Sequence, residues 1–154
     1  MTRFAGGHRP CLLPGRGLAL RAWRPISPWW DMTEAWLDFS LLTRAGFPLE
    51  RYAAGEKIFV ENDEGGVMYV VRTGRVHIRS YGTVLESVGP NGMFGEMALI
   101  DGSPRSATAI ASEACEIAPI DRAAFAYLVR QDPEFALRVM RLLAQRIRQM
   151  NANL

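Results

Sequence analysis

Glycines at positions 55, 65, 66, 74, 82 and 89 cut the stretch from 49 to 88 into five brief runs, 49–52, 57–60, 67–72, 76–80 and 83–88. Each run is too short for an ordinary helix, and the later ones are rich in Val, Ile, Thr and Tyr. Short extended runs separated by tight turns at this interval predict an antiparallel β-sandwich or barrel, because successive strands then pair through hairpins. Two further strands are predicted at 105–110 and 115–120. The chain therefore commits most of its middle to β structure before any composition is considered.

Helical spacing frames this β region. Trp36, Leu37, Phe39, Leu41 and Leu42 predict a short leading helix, with Thr33 as its N-cap and Gly46 as its stop. A second helix is predicted over 122–130 after Asp121. A third begins at Asp132-Pro133-Glu134, an N-cap, a first-turn proline and a first-turn acid. Along it Phe135, Val139, Leu142, Leu143, Ile147 and Met150 recur every three or four residues as one apolar stripe, with Arg138, Arg141 and Arg148 off it. The stripe is expected to serve mainly as core, and its extension past Leu143 to pair with a second copy of the chain. The expected fold is mainly β within the α+β class: an antiparallel, jelly-roll-like β-roll with a leading helix and two C-terminal helices.

At 154 residues the chain is sized for one domain. Residues 1–31 mix Gly, Pro and Arg without periodicity and are read as disordered, or as sequence upstream of a true start at Met32. The domain proper is placed at 32–154. Trp23, Trp29 and Trp30 lie in the leader, where Pro25 and Pro28 prevent a clean amphipathic helix. No apolar run approaches the roughly 18 to 20 residues that span a bilayer, so no membrane role is expected. Cys11 and Cys115 form neither a disulfide framework nor a metal spacing, which fits a reducing cytoplasm. The net charge of +2 conceals a division. Residues 32–132 carry nine basic and fourteen acidic side chains. A body of that sign repels a phosphate backbone, so nucleic acid is not an expected partner, and any small anion must be held locally.

One stretch has the means to do so: "FGEMALIDGSPRSAT", residues 94–108. Gly95 followed by Glu-Met-Ala-Leu predicts a single helical turn whose first amides point outward, an arrangement that favours an anion. Asp101-Gly102 turns the chain back, and Pro104 stiffens the approach to Arg105, whose planar fork matches two phosphate oxygens. Glu96 would be repelled by a phosphate alone. An ionised carboxylate accepts only, so beside an anion site it selects a hydroxyl donor such as a ribose 2′-OH. An anion together with a sugar hydroxyl points to a nucleotide.

The spacing Phe-Gly-Glu-x-Ala-Leu followed by Pro-Arg-Ser-Ala-Thr resembles the phosphate-binding cassette of the cyclic nucleotide-binding domain family. Its members include kinase regulatory subunits, cyclic-nucleotide-gated channels and bacterial cAMP-receptor regulators. The likeness takes in "AAGEKIF", "MYVVRTGRVHI" and the closing helices, over residues 47–150. It implies a ligand-binding set of Gly95, Glu96, Met97, Ala98, Arg105, Ser106 and Ala107. In that set Glu96 takes the ribose 2′-OH, Arg105 the cyclic phosphate, and the Ala98 and Ser106 amides the phosphate oxygens, with Gly95 lining the sugar. The base would lie against Val84 or Met93, under a lid from the last helix, Arg146 or Met150. A Thr at position 106 accompanies cGMP in the family and an Ala there accompanies cAMP; Ser106 falls between, and cAMP is favoured. The family's early Glu-Gly-Asp turn is "END" here, where Asn62 tolerates a left-handed backbone.

The competing readings are weaker. Glu96 and Arg105 as a mere ion pair would not explain the whole cassette, although a degenerate domain retained for interaction alone would keep it. His77 stands in a strand with no ligand cluster, so no metal or other cofactor is expected. "GPNGMFG" lacks a surrounding βαβ unit and is no dinucleotide loop. No nucleophile–base pair can be assembled, so no enzyme activity is expected. The reading is a stand-alone cytoplasmic receptor: a cyclic nucleotide binds, the terminal helices shift, and an unidentified effector protein reads the change. The alternatives are a regulatory subunit or channel gate, or a transcription regulator. After Asn151 only three residues remain, too few for the helix-turn-helix such a regulator needs.

Overall fold

The computed structural model of the chain describes residues 37–153. A short helix α1 (Phe39–Arg44) leads into β1 (Glu50–Tyr52), β2 (Lys57–Phe59), β3 (Met68–Thr73), β4 (Val76–Ser80) and β5 (Thr83–Val88). Then come β6 (Met93–Phe94), α2 (Glu96–Asp101), β7 (Thr108–Ala111), β8 (Cys115–Ile120), α3 (Arg122–Gln131) and α4 (Glu134–Ala152). The strands form two four-stranded antiparallel sheets, ordered β1-β8-β3-β6 and β2-β7-β4-β5. This is the β-roll with a leading helix and two closing helices that the turn spacing implied.

Side-chain alternation explains how the layers stack. Successive residues of a strand face opposite sides of its sheet. In β3, Val71 joins Val76, Val88, Phe94, Ala109, Ala111, Cys115 and Ile117 in a core between the two sheets. Its neighbours Met68 and Val70 join Met93, Ala118 and Ile120 in a second core beneath the helices, with Leu42, Leu128, Phe135 and Val139. The first sheet is thus buried on both faces, which is why "MYVV" and "CEIAPI" carry little polarity. The second sheet is less covered: in β5 Thr83, Val84, Leu85 and Ser87 are all exposed, and in β4 Val76 alone is fully buried. Phe135 is 1% exposed, and truncating a buried aromatic of this kind to Ala typically costs about 3–5 kcal/mol.

Several boundaries differ from the sequence expectation. α1 starts at Phe39, where the Asp38 carboxylate accepts from the Ser40 amide at 2.9 Å; Thr33 lies outside the described residues, as does the whole leader. β7 starts at Thr108, three residues later than predicted. The Arg105 amide and carbonyl are instead engaged by Asp63 O and the Asn62 amide, at 2.9 and 2.8 Å, which holds 104–107 as a loop against the early turn. Asn62 has φ 71°, the left-handed backbone anticipated for it. The two-residue strand β6 was not predicted, being too short to show a period. His77 sits in β4 opposite Ile110 and Ser87, and Cys115 is buried in β8. In α4, Phe135 and Val139 are core, whereas Ile147 and Met150, on the extension past Leu143 that was not expected to pack as core, are 59% and 70% exposed. Leu142 and Leu143, half-buried against the core, are the last residues of the stripe packed on it.

Candidate functional site

β6 delivers the chain to Gly95, which turns with φ 74° and opens α2. A side chain here would be strained by the backbone and crowded too: an added Cβ would stand 2.8 Å from Arg105 Nη1 and 3.3 Å from the Phe59 ring. The opposite wall is equally tight. At Gly65 a Cβ would collide with the Cβ of Ala98 and lie 3.1 Å from Arg105 Nε. These two glycines let the β2–β3 loop, α2 and Arg105 close on one another.

Arg105 is 5% exposed. Its Nη1 donates to Gly95 O at 3.0 Å and its Nη2 to Val67 O at 2.7 Å, while the guanidinium carbon lies 4.1 Å from the Phe59 ring centroid. Burial pulls its pKa down, against the opposing influence of Tyr69, Asp63 and Glu96. Arginine has ample margin, so the guanidinium remains a cation. The sequence suggested a fork free to meet two phosphate oxygens. Instead, two of its five N–H groups are already committed to carbonyls, which fix the plane of the cation in advance. The Nε–H is buried without a hydrogen-bond partner among the described residues.

Glu96, 1% exposed, is the most deeply buried charged side chain among the described residues. Its Oε1 accepts from Nη1 of Arg146, which reaches in from α4. Nη2 of Arg146 donates to Glu86 Oε2 on β5 at 2.9 Å and to Met93 O at 3.1 Å. Burial, the largest single influence on Arg146, lowers its pKa, but the bonds and charges of Glu96 and Glu86 outweigh it and the net shift is upward. The other Glu96 oxygen, Oε2, is buried and has no hydrogen-bond partner among the described residues. Leaving a charged group's acceptor unmade in the interior is costly, so such an atom marks a place where a donor is wanted.

Of the predicted set, Gly95, Glu96, Ala98, Arg105 and Ala107 are gathered at this corner, buried or half-buried. Met97 is 51% exposed and Ser106 is also exposed, both at the surface of the cassette. Of the two lid candidates, Arg146 is in the site and Met150 projects to solvent. Met93 is buried beneath the helices, and Val84 is half exposed on β5. Sequence reasoning did not find Glu86, Gly65, or the aromatic floor of Phe59 and Tyr69. A separate apolar hollow of about 480 Å³ lies where α2, α3 and α4 meet, lined by Leu99, Ile100, Phe125, Val139, Met140 and Leu143.

The family model for the cyclic nucleotide-binding domain matches residues 49–132. The cyclic AMP receptor protein of Thermus thermophilus is 34% identical over 113 residues, 70% of this chain and 52% of that protein. The cAMP-dependent protein kinase regulatory subunit of Yarrowia lipolytica is 40% identical over 72 residues, 47% of this chain and 19% of that one. The crystal structure of the Thermus thermophilus catabolite activator protein superposes with a TM-score of 0.66 at 31% identity, covering 80% of this chain and 59% of that one. The chain thus spans about half the length of the bacterial receptor and a fifth of the kinase subunit.

Proposed function

This chain belongs to the cyclic nucleotide-binding domain family, and on that premise we propose that it is a receptor for a cyclic nucleotide, cAMP in preference to cGMP. The ribose 2′-OH donates to Glu96 Oε2. The cyclic phosphate lies against the N–H groups that Arg105 does not spend on Gly95 and Val67, and against the Ala98 and Ser106 amides. The observation that carries this reading is the pair of buried, unpartnered groups in one cassette: an acceptor, Glu96 Oε2, and a cationic donor, Arg105 Nε. A sugar hydroxyl next to a phosphate complements both. The preference for cAMP is supported by the two relatives named for it and by the absence of Thr at position 106.

The output is conformational. Arg146 ties α4 to Glu96, so a ligand on Glu96 has unequal affinity for the arrangements of α4, the condition for shifting them. An effector protein reads the changed helical surface, and the exposed stripe at Ile147 and Met150 pairs two copies of the chain. Isothermal titration tests the core of this. The wild type should bind cAMP more tightly than cGMP, and Arg105→Ala should weaken binding by at least about tenfold, the loss of charge-assisted hydrogen bonds. If neither nucleotide gives heat, and neither slows amide exchange in α4, the receptor reading fails.

A further inference from the structure

Arg146 grips Glu96 in an unusual manner. Two planar groups of this kind ordinarily meet fork to fork, both guanidinium nitrogens on both carboxylate oxygens. Here only Nη1 reaches Glu96, through Oε1, while Nη2 is drawn to Glu86 Oε2 at 2.9 Å and Met93 O at 3.1 Å. The consequence lies on the neighbouring atom: Glu96 Oε2 stays unpartnered although it is buried beside a cation. A carboxylate on β5, an edge strand of its sheet, therefore decides how many oxygens of a carboxylate on α2 remain available.

Resting on the receptor reading above, we infer that Glu86 is a positioning residue for ligand binding: by diverting one nitrogen of Arg146 it keeps Glu96 Oε2 open for the ligand's hydroxyl. Glu86 need not touch the ligand to do this. Without it, Met93 O alone competes for Nη2, and a neutral carbonyl is a weaker acceptor than the second oxygen of an ionised carboxylate. Arg146 then closes on Glu96 fork to fork and becomes an internal competitor for the hydroxyl's place. With Glu86 in position, one guanidinium neutralises the buried Glu96 without consuming it, so α4 and the ligand occupy the carboxylate together.

The arrangement predicts a dependence between residues that separate roles would not produce. Glu86→Ala should weaken cAMP binding by about tenfold, the effect of blocking one hydrogen bond to a charged acceptor. Glu86 is half exposed on an edge strand, so the fold should hold, and thermal melting checks that. Arg146→Lys keeps a cation for Glu96 but removes the planar fork. The double variant Glu86→Ala/Arg146→Lys should bind cAMP as well as Arg146→Lys alone, because an ammonium has no fork for Glu86 to divert. Nuclear magnetic resonance of the ligand-free protein supplies an independent reading: Glu86→Ala should shift the Arg146 guanidinium and the Glu96 carboxyl carbon together. Additive losses in the double variant, or unchanged affinity in Glu86→Ala, would overturn the inference, the first by making Glu86 a direct ligand contact. If the wild type binds no cyclic nucleotide, the receptor reading falls, and an unmoved Arg146 resonance in Glu86→Ala separately refutes the diversion.

Discussion

Glu96 and Arg105 are both buried, yet they are not partners: each is held by other groups and keeps one polar atom unmet. That separation is what the proposed site rests on, since mutual neutralisation would leave nothing for a ligand to complete. The residue that allows such close quarters is Gly65. Gly65→Ala forces its new methyl into Ala98, and overpacking of this kind costs about 1–3 kcal/mol. Since the methyl also presses on Arg105, ligand affinity should fall along with the melting temperature. Gly66→Ala is the control, with open space around its Cβ, and should leave both nearly unchanged. Titration and thermal melting of the two variants check this. Glu96 and Arg105 were legible from the cassette alone because their chemistry is local in sequence. Glu86, 10 residues before Glu96, has nothing in its own neighbourhood to distinguish it from a surface charge, and Arg146, 50 residues after, was named only through the family resemblance, as one of two lid candidates.

At the scale of elements, the closing helices depend on their starts. The Asp121 carboxylate accepts from the Ala124 amide at 2.8 Å, and Asp132 accepts from the Glu134 amide at 3.2 Å while pairing with Arg138 at 2.7 Å. Asp121→Ala removes the α3 cap and should lower stability by about 1 kcal/mol, measured by denaturant titration, with little direct effect on the cassette. Caps of this type are visible in sequence, and both helices begin within a residue or two of where Asp121 and Asp132 placed them. The strands 76–80 and 83–88 were equally legible, because the Tyr81-Gly82 turn fixes their register, Ser80 opposite Thr83. β7 was misplaced at its start because Arg105, Ser106 and Ala107 have no propensity that forbids a strand. What removes them from the sheet is pairing with Asn62 and Asp63 across more than 40 residues.

On the scale of the whole molecule, α4 does three things at once. Its first half packs Phe135 and Val139 onto the doubly buried sheet, its second half carries Arg146 inward to the cassette, and the same second half turns Ile147 and Met150 to solvent. On the proposed reading, α4 carries both the arginine that reaches Glu96 and the exposed Ile147 and Met150, so self-association and ligand occupancy are interdependent. Sedimentation at rising concentration should show a monomer–dimer equilibrium that cAMP displaces, and Ile147→Glu should leave a monomer, since a charge buried in an apolar seam has no counter-ion. A monomer at all concentrations with and without nucleotide would remove the dimer from the proposal. By itself the amino-acid sequence determined the β-roll, the helical frame and the cassette, because glycine spacing, apolar period and caps act between near neighbours. Tertiary structure alone decided which charge meets which: a buried carboxylate takes its partners by distance in space, and folding brought α4 and β5 to the same guanidinium.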